Sequence, residues 1–367
     1  MIKQSTEISE RLYSLDFFRG FTMFLLIAGF TSLFSSFTNG ASEGSILHSI
    51  GMQFHHAPWQ GLRFWDLIQP YFMFIVGVAI PYAVANRRKK GQDDRQITSH
   101  VIKRALVLLL FGWALACIGN GKILFHFQNV LAQLSVTYLL AYLIMNKSAR
   151  SQIIISFLLL IVTEFIYRTF PIEGFNHPFT ANENFGTWLD LQYGGEDLKG
   201  HWVSFNAIPT TAHTIWGVLA GQLLMSDRQP RQKLKILVVA GLVGLLVGYA
   251  LSPITPIIKR ICTSSFVLAS GGWTILTLAF SYWLIDMKNQ KKWTLFFTIV
   301  GMNSLFIYLF SHVGAPGLIR KIIEPFSIYL FGFMAESKVL ILTNLLVLFG
   351  LWYVCFWLYK QRIFIKI

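Results

Sequence analysis

Residues 64–85 read FWDLIQPYFMFIVGVAIPYAVA, an apolar run interrupted by one acid, one amide and two prolines. A helix of this length rises about 33 Å, enough to cross the ~30 Å hydrocarbon core of a bilayer. Comparable runs recur along the chain between polar breaks, and they predict an all-α, polytopic membrane helix bundle of about ten transmembrane helices. The predicted spans are 20–38, 64–85, 105–120, 129–146, 152–169, 206–225, 236–252, 264–285, 294–313 and 339–359.

The composition agrees with a membrane location. The chain of 367 residues is 54% hydrophobic and only 13% charged, whereas soluble proteins average about 25% charged residues. Its net charge of +14 could indicate nucleic-acid binding, but the positions of the basic residues favour membrane topology instead. With the N-terminus placed in the cytoplasm, 22 of the 31 Lys and Arg fall in cytoplasmic segments, as the positive-inside rule expects. These cytoplasmic segments are 1–19, 86–104, 147–151, 226–235, 286–293 and 360–367.

This arrangement predicts cytoplasmic N- and C-termini, contact with anionic membrane lipids and no nucleic-acid partner. We expect the protein in the inner membrane of a bacterium. Residues 1–367 show no internal repeat and are predicted to form one transmembrane domain. The stretch 314–338 is too broken by Gly and Pro to span, which indicates a re-entrant or interfacial segment.

Two long loops, 39–63 and 170–205, are predicted on the extracytoplasmic side. The second mixes aromatic residues with acids and amides. Such a composition would suit a polar, ring-shaped ligand such as a sugar. An ordered cap that shields the helix ends explains it equally well.

The first of these loops ends in a group of titratable residues. His55 and His56 precede Asp66, which lies near the start of the predicted span 64–85. Pro70 follows Asp66 by one helical turn. Proline lacks an N–H and should free the carbonyl of residue 66, so a polar cavity is predicted here. A histidine can accept and return protons near neutral pH, and a carboxylate can orient it. A structural histidine at a helix end remains the alternative.

No metal site is predicted. Adjacent histidines do not face each other on a helix, and the three cysteines lie in or beside separate spans without CxxC spacing.

Other polar residues occur in or beside the predicted spans. Arg19 and Asp16 are three residues apart and can pair across one turn, which would also anchor the helix end. Lys259 is an exception to the positive-inside bias, and therefore suggests a counter-charge or an anionic ligand. Asn303 lies inside the ninth span, either at a site or as a contact between helices. His312 ends that helix, about 14 Å further along its axis.

Several motifs resemble one family. RLYSLDFFRGFTMFLLI (11–27) is similar to the first-helix signature of the heparan-α-glucosaminide N-acetyltransferase family and its bacterial relatives. HAPWQGLRFWDLIQPYFMFIVG (56–77) resembles the family's motif that begins His-Ala-x-Trp-x-Gly-Leu. PIIKRICTSSFVL (256–268), GMNSLFIY (301–308) and IWGVLAGQLL (215–224) resemble further family segments. The motifs extend from the first predicted span to the ninth.

The resemblance implies a membrane acetyltransferase that uses cytosolic acetyl-CoA to acetylate the amine of an extracytoplasmic glucosamine-type sugar or glycan. The family's functional histidine corresponds to His56, which would act as a base or as an acetyl carrier. The expected catalytic residues are His56, Asp66 and Asn303. The expected acetyl-CoA-binding residues are Lys259, Arg87, Arg88 and Arg19. The expected acceptor-binding residues are Trp59, Gln60, His55 and His312.

Three sites, with four residues in all, depart from the family pattern. Phe30 replaces an asparagine in the first helix, Ala132 and Gln133 replace a Gln-Arg pair, and Ile258 replaces the asparagine before Lys259. Two alternatives therefore stay open. One is a transporter or flippase that uses Asp66 and the histidines as a proton relay, and the other is a catalytically inactive relative that binds a lipid or glycan. A homodimer also remains open.

Overall fold

The computed structural model describes residues 12–192 and 201–365. Within these ranges all regular structure is helical, which confirms the all-α prediction. The α-helices are α1 (Tyr13–Phe30), α2 (Leu33–Asn39), α3 (Ile46–Met52), α4 (Ile68–Lys89), α5 (Asp94–Asn120), α6 (Val130–Ile144), α7 (Ala149–Thr169), α8 (Phe185–Gln192), α9 (Thr211–Met225), α10 (Pro230–Leu251), α11 (Ser264–Ser281), α12 (Leu295–Met302), α13 (Ser304–His312), α14 (Ala315–Phe331) and α15 (Glu336–Lys360). The predicted termini and residues 193–200 of the predicted loop lie outside the described residues.

Seven helical segments of the described chain are long and apolar enough to cross a membrane. They are Tyr13–Phe30, Phe64–Lys89, Asp94–Asn120, Ala149–Thr169, Pro230–Leu251, Ser264–Met287 and Glu336–Lys360. The pair Lys292–Met302 and Ser304–His312, bent by 60°, would make an eighth. The predicted count of ten is therefore not confirmed.

The difference from ten has a simple origin. Two predicted spans, 129–146 and 206–225, are only 15 residues long as α6 and α9, about 22 Å of helix. The predicted span 20–38 instead breaks after Phe30, where Ser32 adopts a left-handed backbone conformation. Within the stretch 314–338, residues Ala315–Phe331 form α14, which lies outside the long apolar set.

The centre of the bundle is α4, which packs along α9. A Cβ atom on Gly77 would come within 2.1 Å of the Thr214 carbonyl oxygen, and Gly217 is equally close to Phe74. Small residues thus let the two backbones touch, as in other membrane helix pairs. In contrast, α5, α7 and α10 expose large apolar side chains such as Leu246, which suits contact with lipid.

The loops at one end of the bundle, which we call the site face, are tied to one another. They are residues 53–63, 121–129, 201–210 and 252–263. Gly61 N–H donates to the Ile257 carbonyl (2.8 Å), and Phe127 N–H donates to Ser204 Oγ (2.9 Å). The loops 90–93, 145–148, 226–229 and 288–294 form the opposite face. The site face therefore joins segments that are far apart in sequence.

Candidate active site

Asp66 is the buried anchor of the site face. It lies in a 3₁₀ turn, Phe64–Leu67, that leads directly into α4, and its side chain is only 1% exposed. The carboxylate accepts hydrogen bonds from the backbone N–H groups of Arg63 (3.0 Å) and Ala57 (3.2 Å). A buried carboxylate needs such donors, so the loop 56–63 folds around it.

Pro70 lies closer to the start of its helix than the predicted span 64–85 implied. It lies in the first turn of α4, where a missing N–H removes no hydrogen bond from the helix interior. The local irregularity is the 3₁₀ turn around Asp66 instead of a kink within the helix.

His56 shares the Asp66 carboxylate. Its Nδ1 is 2.7 Å from Asp66 Oδ1, so the neutral tautomer that donates from Nδ1 leaves a lone pair on Nε2. The side chain is 39% exposed. Burial of the ring lowers the pKa of His56 below its ordinary value, although the hydrogen bond to Asp66 opposes this shift. The imidazole is therefore neutral and accessible near pH 7, which a general base requires.

Lys259 brings a cation to the same carboxylate from a loop about 200 residues later. Its Nζ lies 3.6 Å from Asp66 Oδ1 and 3.4 Å from His56 Nδ1. Burial lowers the pKa of Lys259 to about 8, against the attraction of Asp66. The charge of Lys259 in turn contributes to the lowered pKa of His56.

Trp202 lies against this cluster. Its ring is 5.5 Å from the His56 ring, and Lys259 Nζ and the Arg260 guanidinium lie 5.4 and 5.8 Å from its centroid. Cations at such distances over an indole are attracted by its π-face. Trp202 therefore holds the cationic loop 252–263 against the histidine.

A cavity of about 340 Å³ opens beside His56, within the size range of small-molecule sites. Its polar lining includes His56, Lys259, Trp202, Gln69, Asn120, His126, Gln128, Asn129 and His312. Its apolar lining includes Leu26, Ile68, Leu115, Ala116, Val130 and Tyr308. The base and the buried cation thus face one chamber large enough for a reacting pair of small groups.

The other predicted acceptor-binding residues occupy different positions. His312 lines the cavity, with its ring 4.5 Å from Phe30. Trp59 Nε1 donates to the Phe179 carbonyl (2.7 Å), and His55 Nε2 is 3.3 Å from Thr38 Oγ1. Gln60 is exposed. The site-face loop 53–63 contains Trp59, Gln60 and His55, and none of these three residues lines the cavity.

Asn303 is not brought to the cavity, which corrects its predicted place in the catalytic group. It occupies the break between α12 and α13, nine residues and about 14 Å of helix before His312. Its amide donates to the Ile363 carbonyl (3.0 Å) and accepts from Ile365 N–H (2.8 Å). This side chain fixes the segment after α15 to the bundle.

The predicted phosphate-binding arginines lie towards the opposite face. Arg87 and Arg88 are in the last turn of α4, about 30 Å along the helix from Asp66. Arg88 pairs with Asp94 (2.9 Å), and Arg87 donates to Gln92 (2.9 Å). Arg19 lies 3.9 Å from Asp16. None of the three contacts the His56 cluster.

Comparison with known proteins assigns the family. Residues 11–250 match the family described as "Heparan-alpha-glucosaminide N-acetyltransferase, catalytic". The chain belongs to this family. The protein named heparan-alpha-glucosaminide N-acetyltransferase of Homo sapiens is 23% identical over 364 residues, covering 82% of this chain and 52% of that protein. The Mus musculus protein of the same name is 26% identical over 137 residues, covering 35% and 18%.

This family membership confirms the resemblance noted in the sequence, and with the long apolar helices it makes the chain an integral membrane protein. The chain spans about half the length of the human heparan-alpha-glucosaminide N-acetyltransferase that it matches. The region that matches the family contains His56 and Asp66 but ends before Lys259 and His312.

Three of the four residues that depart from the heparan-α-glucosaminide N-acetyltransferase pattern, Phe30, Ala132 and Ile258, are apolar and lie at or near the site. Phe30 packs edge-on against His312, and Ile258 and Ala132 are fully buried. Ala132 N–H is capped by the Asn129 side chain, and the neighbouring Gln133 bonds to Gln69, a cavity residue. The departures leave the cluster around Asp66 intact.

Sequence reasoning missed Trp202, His126 and Gln128 as cavity residues. The aromatic and amide-rich composition of 170–205 indicated the right loop for Trp202, but nothing in the sequence marked the individual residue. Gln128 donates to Asp190 (2.9 Å), and Asp190 also accepts from Ser204 N–H (3.0 Å). These partners are separated along the chain, so no local pattern identifies them.

Within residues 12–192 and 201–365, no group of three or more His, Cys, Asp or Glu side chains could hold a metal ion.

Proposed function

We propose that the chain is a membrane acetyltransferase that moves an acetyl group from acetyl-CoA to the amine of a glucosamine-type sugar or glycan. The observation that carries this proposal is the His56–Asp66 pair. The imidazole lines a cavity and is held at Nδ1 by a buried carboxylate, so Nε2 is the ring nitrogen left for a reacting group. Membership of an N-acetyltransferase family supplies the reaction class.

The proposed chemistry is a direct transfer. The amine nitrogen attacks the thioester carbonyl carbon, and His56 Nε2 takes the proton that the amine loses. The C–S bond then breaks and coenzyme A leaves as a thiolate, a good leaving group because its conjugate acid has a pKa of about 8.5. The imidazolium returns its proton to this sulfur. Asp66 keeps the ring in the required tautomer and stabilises its charge.

Lys259 takes the role of the oxyanion donor in this proposal. A buried ammonium beside the base can stabilise the negative charge that develops on the carbonyl oxygen, and a dry site strengthens this interaction. Asn303 was also expected in the catalytic group, but its amide is already bonded to residues 363 and 365.

The donor would enter from the opposite face. We place the protein in a bacterial inner membrane with that face in the cytosol, where Arg19, Arg87 and Arg88 would meet the phosphates of acetyl-CoA. The acetylated arm must then pass between helices to reach His56. Trp59, Gln60 and His55 would contact the acceptor on the site face.

The decisive experiment follows labelled acetyl-CoA with purified full-length protein in nanodiscs and a panel of amino sugars. Wild type should form N-acetylated sugar, and His56→Ala should not. His48→Ala, which changes another histidine near the site face but outside the cavity, is the matched control. Equal transfer by wild type and His56→Ala would remove His56 from the mechanism.

A second readout distinguishes a base from an acetyl carrier. In the absence of acceptor, a carrier releases one equivalent of coenzyme A and becomes labelled itself. A base releases none until the amine is added. The same measurement in His56→Ala is the control for other labelled sites.

A further inference from the structure

The cavity beside His56 changes character with depth in the bundle. At the site-face end of its walls are Asn120, the last residue of α5, and His312, the last residue of α13. About one turn deeper on the same two helices the lining becomes Leu115 and Tyr308. Leu26 of α1 continues this apolar wall. On α5 and α13 the lining is thus polar at the site-face end and apolar one turn deeper, while Ile68 and Val130 add apolar side chains near the polar end.

The two helices that carry this gradient leave a gap between them. Both α5 and α13 line the cavity, and within the described residues they are not among the closely packed helix pairs. The outer surface of α5 faces lipid, because Leu106, Leu110 and Ile118 are all more than half exposed. The side of the cavity between α5 and α13 therefore adjoins a lipid-facing surface, and we call this side the opening.

The opening is bordered on one side by a packed aromatic group. The His312 ring lies 4.5 Å from Phe30 and 4.2 Å from Tyr308, and its Nδ1 is 2.9 Å from the Tyr308 carbonyl. At this edge of the opening, the polar ring of His312 thus lies nearer the site face than the ring of Tyr308, one turn deeper on α13. A lipid has the same arrangement, with its polar head group at the membrane surface and its apolar tail deeper in the bilayer.

We propose that the acceptor is an amphiphile, an amine-bearing sugar on a hydrocarbon tail, that enters sideways from the membrane between α5 and α13. The inference rests on the proposed function and specifies its substrate class. The head group would meet His56 and Asn120, while the first methylenes of the tail would lie along Leu115. A free sugar has no group for this apolar wall, whereas each buried methylene of a tail favours binding.

The transfer itself is unchanged for such an acceptor. The N–C bond forms at the sugar amine, the C–S bond of acetyl-CoA breaks, and the amine proton passes through His56 to the departing sulfur. The lipid tail takes no part in the reaction and only positions the amine. The proposal therefore concerns recognition and is tested by comparing acceptors.

The test uses the full chain in nanodiscs with acetyl-CoA and two acceptors, glucosamine and its dodecyl glycoside. We expect the dodecyl glycoside to have a kcat/KM at least about tenfold higher, a difference of about 1.4 kcal/mol. Equal values in wild type would overturn the proposed entry from the membrane.

A matched pair of variants separates the opening from simple partition into lipid. Leu115→Trp narrows the gap from within the cavity, and Leu110→Trp adds the same bulk to the lipid-facing surface of the same helix. The preference for the dodecyl glycoside should fall at least about tenfold in Leu115→Trp and persist in Leu110→Trp. An unchanged preference in Leu115→Trp, with its thermal stability intact, would contradict the proposal.

Three outcomes have distinct meanings. If wild type acetylates glucosamine without favouring the dodecyl glycoside, the proposed function stands and the amphiphile is excluded. If neither acceptor is acetylated, the proposed function fails as well. A preference for octanoyl-CoA over acetyl-CoA that Leu115→Trp removes would assign the apolar wall to the donor and overturn the inference.

Discussion

Two histidines of this chain are both tied to neighbouring side chains, yet they have opposite characters. His213 is completely buried near the start of α9, with Nδ1 3.2 Å from Thr210 Oγ1 and Nε2 3.0 Å from Ser270 Oγ. His56 uses Nδ1 for Asp66 and is 39% exposed at a cavity. Both nitrogens of His213 are occupied, whereas His56 keeps Nε2 for a reacting group.

The number of ring nitrogens that are hydrogen bonded within the protein distinguishes a structural histidine from a candidate base. A ring with both nitrogens bonded to neutral hydroxyls and no access to solvent holds helices together. A ring with one nitrogen on a buried carboxylate and one facing a chamber can exchange a proton. Four substitutions test this distinction between a structural histidine and a base.

The largest effect is expected for His56→Ala. Removing a general base typically lowers the rate by about 10²–10⁴-fold, and the stability should change by less than about 1 kcal/mol because the ring is partly exposed. Steady-state kinetics and thermal unfolding in the same nanodiscs measure the two quantities. A large loss of stability with activity retained would reverse the roles of the two histidines.

Asp66→Asn should affect both activity and stability. The amide presents no charge to His56 or Lys259, and breaking a buried ion pair by changing one partner costs about 3–5 kcal/mol. Thermal unfolding and acetyl transfer are the measurements. The control is the double variant Asp66→Asn, Lys259→Met, which removes the unpaired cation and should regain part of the lost stability. No recovery would show that Lys259 is not coupled to Asp66.

His213→Ala should lower stability and leave the chemistry intact. The change leaves the Thr210 hydroxyl and the Ser270 side chain without their ring partner, and an unsatisfied buried group costs about 1–3 kcal/mol. The melting temperature should fall while kcat below that temperature stays near wild type. Loss of kcat without loss of stability would make His213 part of the reaction.

The smallest expected effect is a shift in the pH dependence of Lys259→Met, which is measured separately from the fall in kcat that loss of the oxyanion donor should cause. The positive charge of Lys259 contributes to the lowered pKa of His56, so its removal should raise that pKa. The base is then protonated at a higher pH, and the acid limb of kcat/KM moves to higher pH. Lys259→Arg keeps the charge and is the control. An acid limb that does not move would show that the charge of Lys259 does not affect the pKa of His56.

The sequence predicted one side of the site well because that side is local. His56 and Asp66 are ten residues apart, and one loop with one helix start brings them together. The family motif beginning at His56 marked the same residues. Long apolar runs likewise predicted the helices α4, α5 and α15, because a bilayer imposes a length that can be counted in sequence.

The remaining features depend on contacts across the bundle. Lys259 reaches Asp66 only through the packing of loop 252–263 against residues 54–63, and Trp202 joins them from a third segment. Asn303 illustrates the converse, because an amide inside an apolar helix looks the same in sequence whether it faces a substrate or a backbone segment. The short helices α6 and α9 have span-like composition, but their lengths became visible only in the fold.

The pairing of Asp66 with Lys259 also sets an order of events during synthesis. The carboxylate emerges from the ribosome almost 200 residues before its cation, so α4 must enter the bundle with a charge that is not yet neutralised. The backbone donors of Ala57 and Arg63 are made close to Asp66 and can hold it meanwhile. A nascent chain that stops at residue 250 should therefore contain the histidine motif and still have an unfinished site.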